Sequence, residues 1–361
     1  MGTQAAPLPL WLAGAGGLLA GEFLRLVEGH ARLELAGLIT RAGGERLAEL
    51  QPHLAARREL RCVAPAEALA PLAEQLGRGP AVLVLALPHG EAAGLWRRLR
   101  LELGGLAERL TVVDLSADYR LQDPRRYAAV YGQPHQDAEE LARFRYALPE
   151  LGAAPALRGA TRLSAPGCFA TALQLAARPG ADAGLFDGGR PWSFFGITGS
   201  SGSGAKPKAG THHPHRDGNL YAYGLSGHRH EAELLQGLAG PAPALCFVPH
   251  SGPFVRGIHL TAALPLAAGV SAAELRAVYA RRFADQPFVE LLAEGRVPEL
   301  RLVVGSNRAQ VGLHVRGDQA LLLVALDNVL KGGSGQGLQA LNLALGWPEE
   351  LALPRAGLGC L

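Results

Sequence analysis

Cys168 follows Ala165-Pro166-Gly167 and opens an apolar stretch, Phe169-Ala170-Thr171-Ala172-Leu173. A cysteine at a helix start meets unpaired N–H groups and the positive end of the helix dipole. Both favour the thiolate, the form that attacks a carbonyl carbon. The chain has four cysteines. Cys62 and Cys246 lie in strand-like text, where a free thiol is an inert, buried hydrophobe, and Cys360 is in the tail. Cys168 alone is placed for chemistry. No C-x-x-C occurs and His212-His213-Pro214 lacks a supporting carboxylate or thiol, so no metal is expected.

A second constellation is a glycine loop. The strand-like Leu8–Ala13 runs into Gly14-Ala15-Gly16-Gly17-Leu18-Leu19-Ala20-Gly21 and then a helix. Strand, glycine turn and helix are the context in which backbone N–H groups meet a pyrophosphate at a helix N-terminus. Gly14, Gly16, Gly17, Leu18 and Leu19 are the candidate contacts. A tight turn in a glycine-rich chain is the competing reading. About two dozen residues after Gly17, the second strand ends in Thr40-Arg41. An acidic residue there would hold a ribose 2′-hydroxyl. A hydroxyl and a guanidinium suit a 2′-phosphate instead, which favours NADP(H) over NAD.

These residues need rigid elements behind them. Leu33–Thr40, Ala81–Leu87 and Leu110–Leu115 read as further buried strands, with helices at Ala20–Glu28 and Ala64–Leu76. Continuous apolar strands alternating with helices predict an α/β domain with a doubly wound parallel sheet. From about residue 165 glycine-rich segments alternate with strands at Trp192–Thr198, Ala244–Val248, Ile258–Leu264 and Ala320–Ala325. Helices are predicted at Cys168–Ala177, His230–Leu238 and Ala272–Phe283, which suggests an α+β second domain with a mixed sheet. A last helix, Gly335–Leu345, stops at Gly346-Trp347-Pro348.

Composition narrows the function classes. The 361 residues carry 35 Lys plus Arg against 32 Asp plus Glu, a net charge of +3. No basic run marks a nucleic-acid face. No apolar stretch reaches the roughly 18 residues a membrane span needs. The apolar Leu8–Leu19 lacks a preceding basic residue and is broken by glycines, unlike a signal peptide. A cytoplasmic protein is expected. Only three of the cations are lysines, Lys206, Lys208 and Lys331.

At several points the chain resembles the N-acetyl-gamma-glutamyl-phosphate reductases, a family within the semialdehyde dehydrogenases. The resemblance rests on segments spread over nearly the whole length. They include Ala86-Leu87-Pro88-His89-Gly90, Asp114-Leu115-Ser116-Ala117-Asp118-Tyr119-Arg120, Leu148-Pro149-Glu150 and Pro166-Gly167-Cys168. They continue through His228-Arg229-His230 with Glu233, Val255-Arg256-Gly257, and Asp327-Asn328-Val329-Leu330-Lys331-Gly332 with Gly335-Gln336. The glycine loop departs from the family pattern, with Gly16, Leu18 and Ala20 in place of Ser, Tyr and Gly.

The resemblance implies NADPH-dependent reduction of an acyl phosphate to an aldehyde through a thioester on Cys168. It implies His228 as the base, with His230 the competitor and a further substrate contact. Arg120, Ser116 and Arg256 are then expected at the phosphate. Pro88, Ser201, Gly202 and Asn328 are expected at the cofactor, the serine and glycine coming from the Ser-Gly loop that starts at Gly199. Residues 1–166 and 330–361 would form the NADP-binding domain, and 167–329 the catalytic and dimerisation domain of a homodimer or homotetramer. The loop also resembles a lysine-pathway relative whose aminoadipate phosphate rides on an acidic carrier protein. That leaves the acyl phosphate of arginine biosynthesis as the favoured substrate and the carrier-bound one as the alternative. An NADP-binding redox sensor is the non-enzyme alternative.

Overall fold

A computed structural model describes residues 6–240 and 242–359. The chain divides into two compact units. Unit 1 takes Met1–Ala147, Pro155–Ala165 and Ser334–Leu353, and unit 2 takes Leu148–Ala154, Pro166–Gly333 and Pro354–Leu361. The helices of eight residues or more are α1 (Leu18–Glu28), α2 (Pro65–Arg78), α3 (Ala92–Leu103), α4 (Pro124–Tyr131), α5 (Cys168–Asp182), α6 (Arg229–Gly237), α7 (Ala272–Phe283) and α8 (Gly335–Ala344). Among the described residues, no helix is long and apolar enough to cross a membrane.

Unit 1 holds β1 (Leu8–Ala13), β2 (Leu33–Ile39), β3 (Cys62–Val63), β4 (Ala81–Leu85), β5 (Leu110–Asp114), β6 (Arg145–Tyr146) and β7 (Arg162–Ser164). They form one sheet in the order β3-β2-β1-β4-β5-β7-β6, with every neighbouring pair parallel. This is the doubly wound sheet expected. β4 and β5 are buried at every position, as apolar text covered on both faces requires. The strand order reverses between β1 and β4, so a crevice opens beyond their C-terminal ends. α8, buried along its whole length, packs within this unit: the Gly159 amide donates to Ala344 O at 2.9 Å.

Unit 2 holds β8 (Trp192–Thr198), β9 (Tyr221–Ala222), β10 (Leu245–Ser251), β11 (Ile258–Pro265), β12 (Val289–Leu291), β13 (Ala309–Arg316) and β14 (Gln319–Leu326). Their order is β12-β13-β14-β11-β8-β10-β9, a mixed sheet with parallel pairs only at β12/β13 and β8/β10. α5 lies on one face, and Phe169, Phe194, Phe247, Leu260 and Val324 share the core beneath it. A Cβ on Gly196 of β8 would stand 2.3 Å from the Phe169 ring. The absent side chain is the notch that seats Phe169, and seating Phe169 fixes where α5 begins.

Two differences from the sequence reading have physical causes. α5 continues past Ala177 to Asp182 with Pro179 inside it. The proline removes one helical hydrogen bond, but Pro179 and Gly180 are buried, and Gly180 leaves room for the Phe186 ring. Packing outweighs the stop signal. β13 was not expected, because Gln310, Gly312 and His314 interrupt its apolar text. Gly312 is small where Pro298 and the Arg296 carbonyl press on the strand.

Candidate active site

The crevice of unit 1 begins with Gly14, at φ +90°, where a Cβ would stand 2.4 Å from the Ala86 carbonyl oxygen. Only glycine fits there, so β1 and β4 can stay paired up to the turn. Gly17 caps α1 with extended backbone and no side-chain hydrogen bond. The first-turn amides of α1 therefore keep their donors for an external acceptor, and no acidic residue stands in that turn. Gln51 braces the loop, its Nε2 donating to Ala15 O at 2.7 Å and Gly17 O at 3.1 Å. Leu18 is exposed, and the Leu19 carbonyl accepts from Ser334 Oγ at 2.7 Å. These residues fit a pyrophosphate.

At the end of β2, the Thr40 hydroxyl donates to Glu45 at 2.7 Å and accepts from the Gly43 amide at 3.1 Å. Arg41 extends into solvent and meets Glu91 at 2.8 Å. Such an exposed pair contributes at most about 1 kcal/mol, so the guanidinium is free to turn toward an anion. Pro88 is exposed in the loop after β4.

Ser116 and Arg120 lie in the turn after β5 and are both buried. The Ser116 hydroxyl accepts the Asp118 amide at 3.1 Å, and the Ser116 amide donates to Asp114 at 2.8 Å. Arg120 Nε donates to Ala165 O at 2.9 Å, and its Nη2 reaches Leu115 O at 3.4 Å. Arg120 thus ties the β5 turn to the residue before Pro166. Burial, then the neighbouring Asp118 charge, push the Asp114 carboxyl up to about 6. Burial acts on Asp118 in the same sense, but His89 and the Ala93 and Gly90 amides outweigh it and hold that carboxyl below its ordinary value.

In unit 2, Cys168 is the first residue of α5, and its cap Gly167 is extended with no side-chain hydrogen bond. The Gly167 amide donates to buried Glu233 at 2.9 Å. A Cβ on Gly167 would stand 2.3 Å from His230 Nε2, so that imidazole lies against the backbone just before the thiol. His230 Nε2 is 3.9 Å from Glu233. His228 caps α6, accepting the His230 amide on Nδ1 at 3.2 Å. That bond assigns the proton of the neutral ring to Nε2. The His228 and His230 rings stand 4.6 Å apart, with Phe169 packed against both. Burial, then the Arg229 charge, lower His228 to about 4. The resting value near 6.5 that a shuttling histidine would have is not kept, because the ring is desolvated. Tyr223 completes the cluster, 6.0 Å from His228. Burial, then the Cys168 charge, raise its phenol well above the ordinary value.

Arg256, Ser201, Gly202 and Asn328 come together in the same unit. Arg256 meets buried Asp327 at 2.9 Å. Asn328 accepts the Gly257 amide at 2.7 Å and donates to Ser201 Oγ at 2.9 Å. Ser201 Oγ in turn donates to Val255 O at 2.6 Å, and Gly202 lies open beside Thr198 and Asn328. The chain then brings Gly332 against the thiol residue: a Cβ there would stand 2.7 Å from Cys168 Cβ. Lys331 is fully buried in an ion pair with Glu150 and 5.5 Å from the Phe288 ring. Its compact ammonium serves as an internal strut. Lys206 and Lys208 are exposed. Cys360 lies outside the described residues.

Family models described as semialdehyde dehydrogenase, NAD binding domain and semialdehyde dehydrogenase, dimerisation domain match residues 10–151 and 168–328. The chain is 38% identical over 357 residues to an N-acetyl-gamma-glutamyl-phosphate reductase of Streptomyces avermitilis, covering 96% of this chain and 97% of the relative. A relative of the same name from Azotobacter vinelandii is 36% identical, covering 97% and 99%. The chain belongs to the N-acetyl-gamma-glutamyl-phosphate reductase family. Solved structures of more distant semialdehyde dehydrogenases share its fold. Aspartate semialdehyde dehydrogenase II from Vibrio cholerae matches with TM-score 0.66 at 15% identity, over 94% of this chain and 98% of its own. The Candida albicans aspartate semialdehyde dehydrogenase, solved with NADP, matches with TM-score 0.64 at 13% identity, over 94% and 98%.

For this member of the reductase family, sequence reasoning missed Gln51, Tyr223 and Asp327 as parts of the site. Asp327 and Glu233 stand inside motifs already noticed, so their positions carried a signal. Gln51 and Tyr223 carry none, because only the fold brings them to the loops they serve.

Two predictions follow from this geometry. Gly332→Ala will push Cys168 off its position, lowering kcat on the order of 100-fold with NADPH affinity unchanged, as steady-state kinetics and fluorescence titration will read. His228 has a folded value below its unfolded one, so the unfolded chain takes up a proton that the folded chain refuses between about pH 6.5 and 4. Stability is lost as pH falls through that window, by roughly 3 kcal/mol in all. His228→Gln will flatten that slope in urea unfolding followed across the same pH range; an unchanged slope would refute the assignment.

Proposed function

We propose that the chain reduces N-acetyl-glutamyl 5-phosphate to N-acetyl-glutamate 5-semialdehyde with NADPH. The observation that carries this reading is Cys168 as first residue of α5, set against the bare backbone of Gly332, with His230 against the preceding Gly167 and the half-buried, neutral His228 packed on Phe169 and His230. The names of the near relatives support the acetyl-glutamyl substrate over the carrier-bound aminoadipate phosphate. We assign the dinucleotide to unit 1, through the Gly14–Leu19 loop, Thr40 and Arg41, with Pro88 at its edge. The missing carboxylate at the end of β2 favours NADPH. When bound, the cofactor supplies a hydride.

The protein's own residues handle the rest. The α5 N-terminus favours the Cys168 thiolate. The thiolate adds to the acyl carbon, the C–O bond to phosphate breaks, and inorganic phosphate leaves behind a thioester. After hydride arrives at that carbon, the oxyanion re-forms C=O, expels the thiolate and frees the aldehyde. His228, with its proton on Nε2, is suited to donate a hydrogen bond to the developing oxyanion or to the thiolate. His230, oriented beside Glu233, is the competing proton carrier. Arg256 is assigned to the phosphoryl group, with Ser201, Gly202 and Asn328 shaping the cofactor side of its loop. Arg120 and Ser116 support the turns that precede the nucleophile.

Self-association is proposed through the bare face of the unit 2 sheet. Phe195, 47% exposed on β8, pairs with Val248 on β10 and Thr261 on β11, and Thr261 pairs with Leu323 on β14. This apolar stripe lies opposite the face covered by α5, and the dimerisation description of the matching family model supports its use between copies.

Cys168→Ser will abolish turnover, by at least about 1000-fold, while retaining NADPH binding; near-normal activity would defeat the mechanism. Phe195→Glu will shift the protein to a smaller species in light scattering, and an unchanged mass would remove the sheet face from consideration.

A further inference from the structure

Among the described residues three arginines are buried: Arg120, Arg162 and Arg216. Arg162 stands 3.6 Å from Glu140 and 3.7 Å from Glu108. Arg120 acts on the charge of Asp114. Arg216, 7% exposed, differs from both. Its Nη1 donates to Ser251 Oγ at 2.5 Å, and its Nη2 donates to the Gly252 carbonyl. Its Nε is buried without an acceptor. No carboxylate oxygen of the described residues lies within 4 Å of its guanidinium. A buried cation held only by neutral oxygens is strongly disfavoured in a folded chain. It becomes favourable once an anion arrives to complete the fork.

The location points to a substrate anion. Ser251 and Gly252 close β10, and β9, which follows Arg216, pairs with β10 at His250 and Ser251. Tyr223, the next residue after β9, donates its amide to the Pro249 carbonyl of β10 at 3.0 Å and stands 6.0 Å from the His228 ring. Arg216, held at the end of β10, therefore lies on the strand pair that leads to the cluster around the nucleophile. The proposed substrate carries two oxyanion groups, the phosphoryl group and the carboxylate on its α-carbon. Arg256 already has a carboxylate partner in Asp327, whereas among the described residues Arg216 has none.

We infer that Arg216 receives an oxyanion group of the substrate, its carboxylate or its phosphoryl group, and completes its hydrogen bonding only when substrate binds. The inference rests on the reaction proposed above. It makes Arg216 a substrate-binding residue, supported from behind by Ser251.

The test is run in the aldehyde-oxidising direction, where phosphate and N-acetyl-glutamate semialdehyde are separate substrates. Arg216→Gln is expected to raise one KM on the order of 100-fold while melting temperature and NADP binding stay as in wild type. A raised aldehyde KM, with 4-acetamidobutanal (the same aldehyde lacking the carboxylate) handled alike by both proteins, assigns the carboxylate. A raised phosphate KM assigns the phosphoryl group. Both KM values within about threefold of wild type would overturn the inference. Should Arg216→Gln fail to fold, Ser251→Ala removes only a support of the guanidinium and must raise the same KM by a smaller factor. Calorimetric binding of N-acetyl-glutamate and of inorganic phosphate reads Arg216 without turnover. A wild-type protein that turns over neither aldehyde defeats the proposed reaction, and loss of binding on Arg216→Gln still decides the role of Arg216.

Discussion

One buried carboxylate, Asp327, organises unit 2 around the thiol. Its Oδ2 accepts from Arg256 Nε at 3.0 Å and from the Gly305 amide at 2.8 Å. Its Oδ1 accepts from the Val329 and Leu330 amides, and its carbonyl accepts the Gly332 amide at 2.9 Å. A carboxylate taken out of water is tolerated only with its lone pairs filled in this way. Filling them turns the chain after β14 through a tight loop, and that loop carries Gly332 to Cys168. It also lifts Asn328 onto the Gly257 amide and Ser201. The position of the Arg256 guanidinium, the Ser-Gly loop and the wall behind the nucleophile are therefore consequences of one desolvated anion.

The charges around the thiol follow a common logic. At α1 a bare helix end offers donors to an external anion. α1 and α5 both start at a glycine without a side-chain cap, whereas α6 starts at His228, whose ring supplies the cap. The difference decides what each end can do. The first-turn amides of α1 keep their donors, the cap amide of α5 gives its donor to Glu233, and the imidazole on α6 is spent on its own helix and stays neutral. Buried ion pairs such as Lys331 with Glu150 serve as internal struts, since a satisfied buried pair holds geometry more than it adds stability.

Glycine works here mainly by subtraction. Gly196 admits the Phe169 ring, Gly332 admits the Cys168 residue, Gly167 admits His230, and Gly21 leaves space for the Gln51 amide that braces the first loop. Each vacancy is filled by a side chain from a remote part of the sequence. A methyl group at any of them would displace a residue that binds, aligns or reacts. The density of glycine in this chain, which in the sequence looks like a composition bias, includes a set of specific clearances.

By itself the sequence determined the parallel sheet of unit 1, because AVLVL in β4 is apolar at every position and buried on both faces. It also determined Cys168 as the nucleophile candidate, because a proline-glycine pair ahead of an apolar helix fixes the thiol at a helix start. The glycine loop, the strand at Trp192–Thr198 and the helix at Ala272–Phe283 were legible for the same reason: local pattern and final environment agree. Tertiary structure decided what local pattern cannot carry. It set the protonation of His228, since desolvation depends on what packs over the ring. It turned Arg120 toward the Ala165 carbonyl and Lys331 toward Glu150, since partners distant in sequence choose the direction of a long side chain. It left Arg216 buried on the neutral oxygens of Ser251 and Gly252 with no carboxylate of the described residues beside it, and which oxygens a buried cation meets is a property of the folded chain alone.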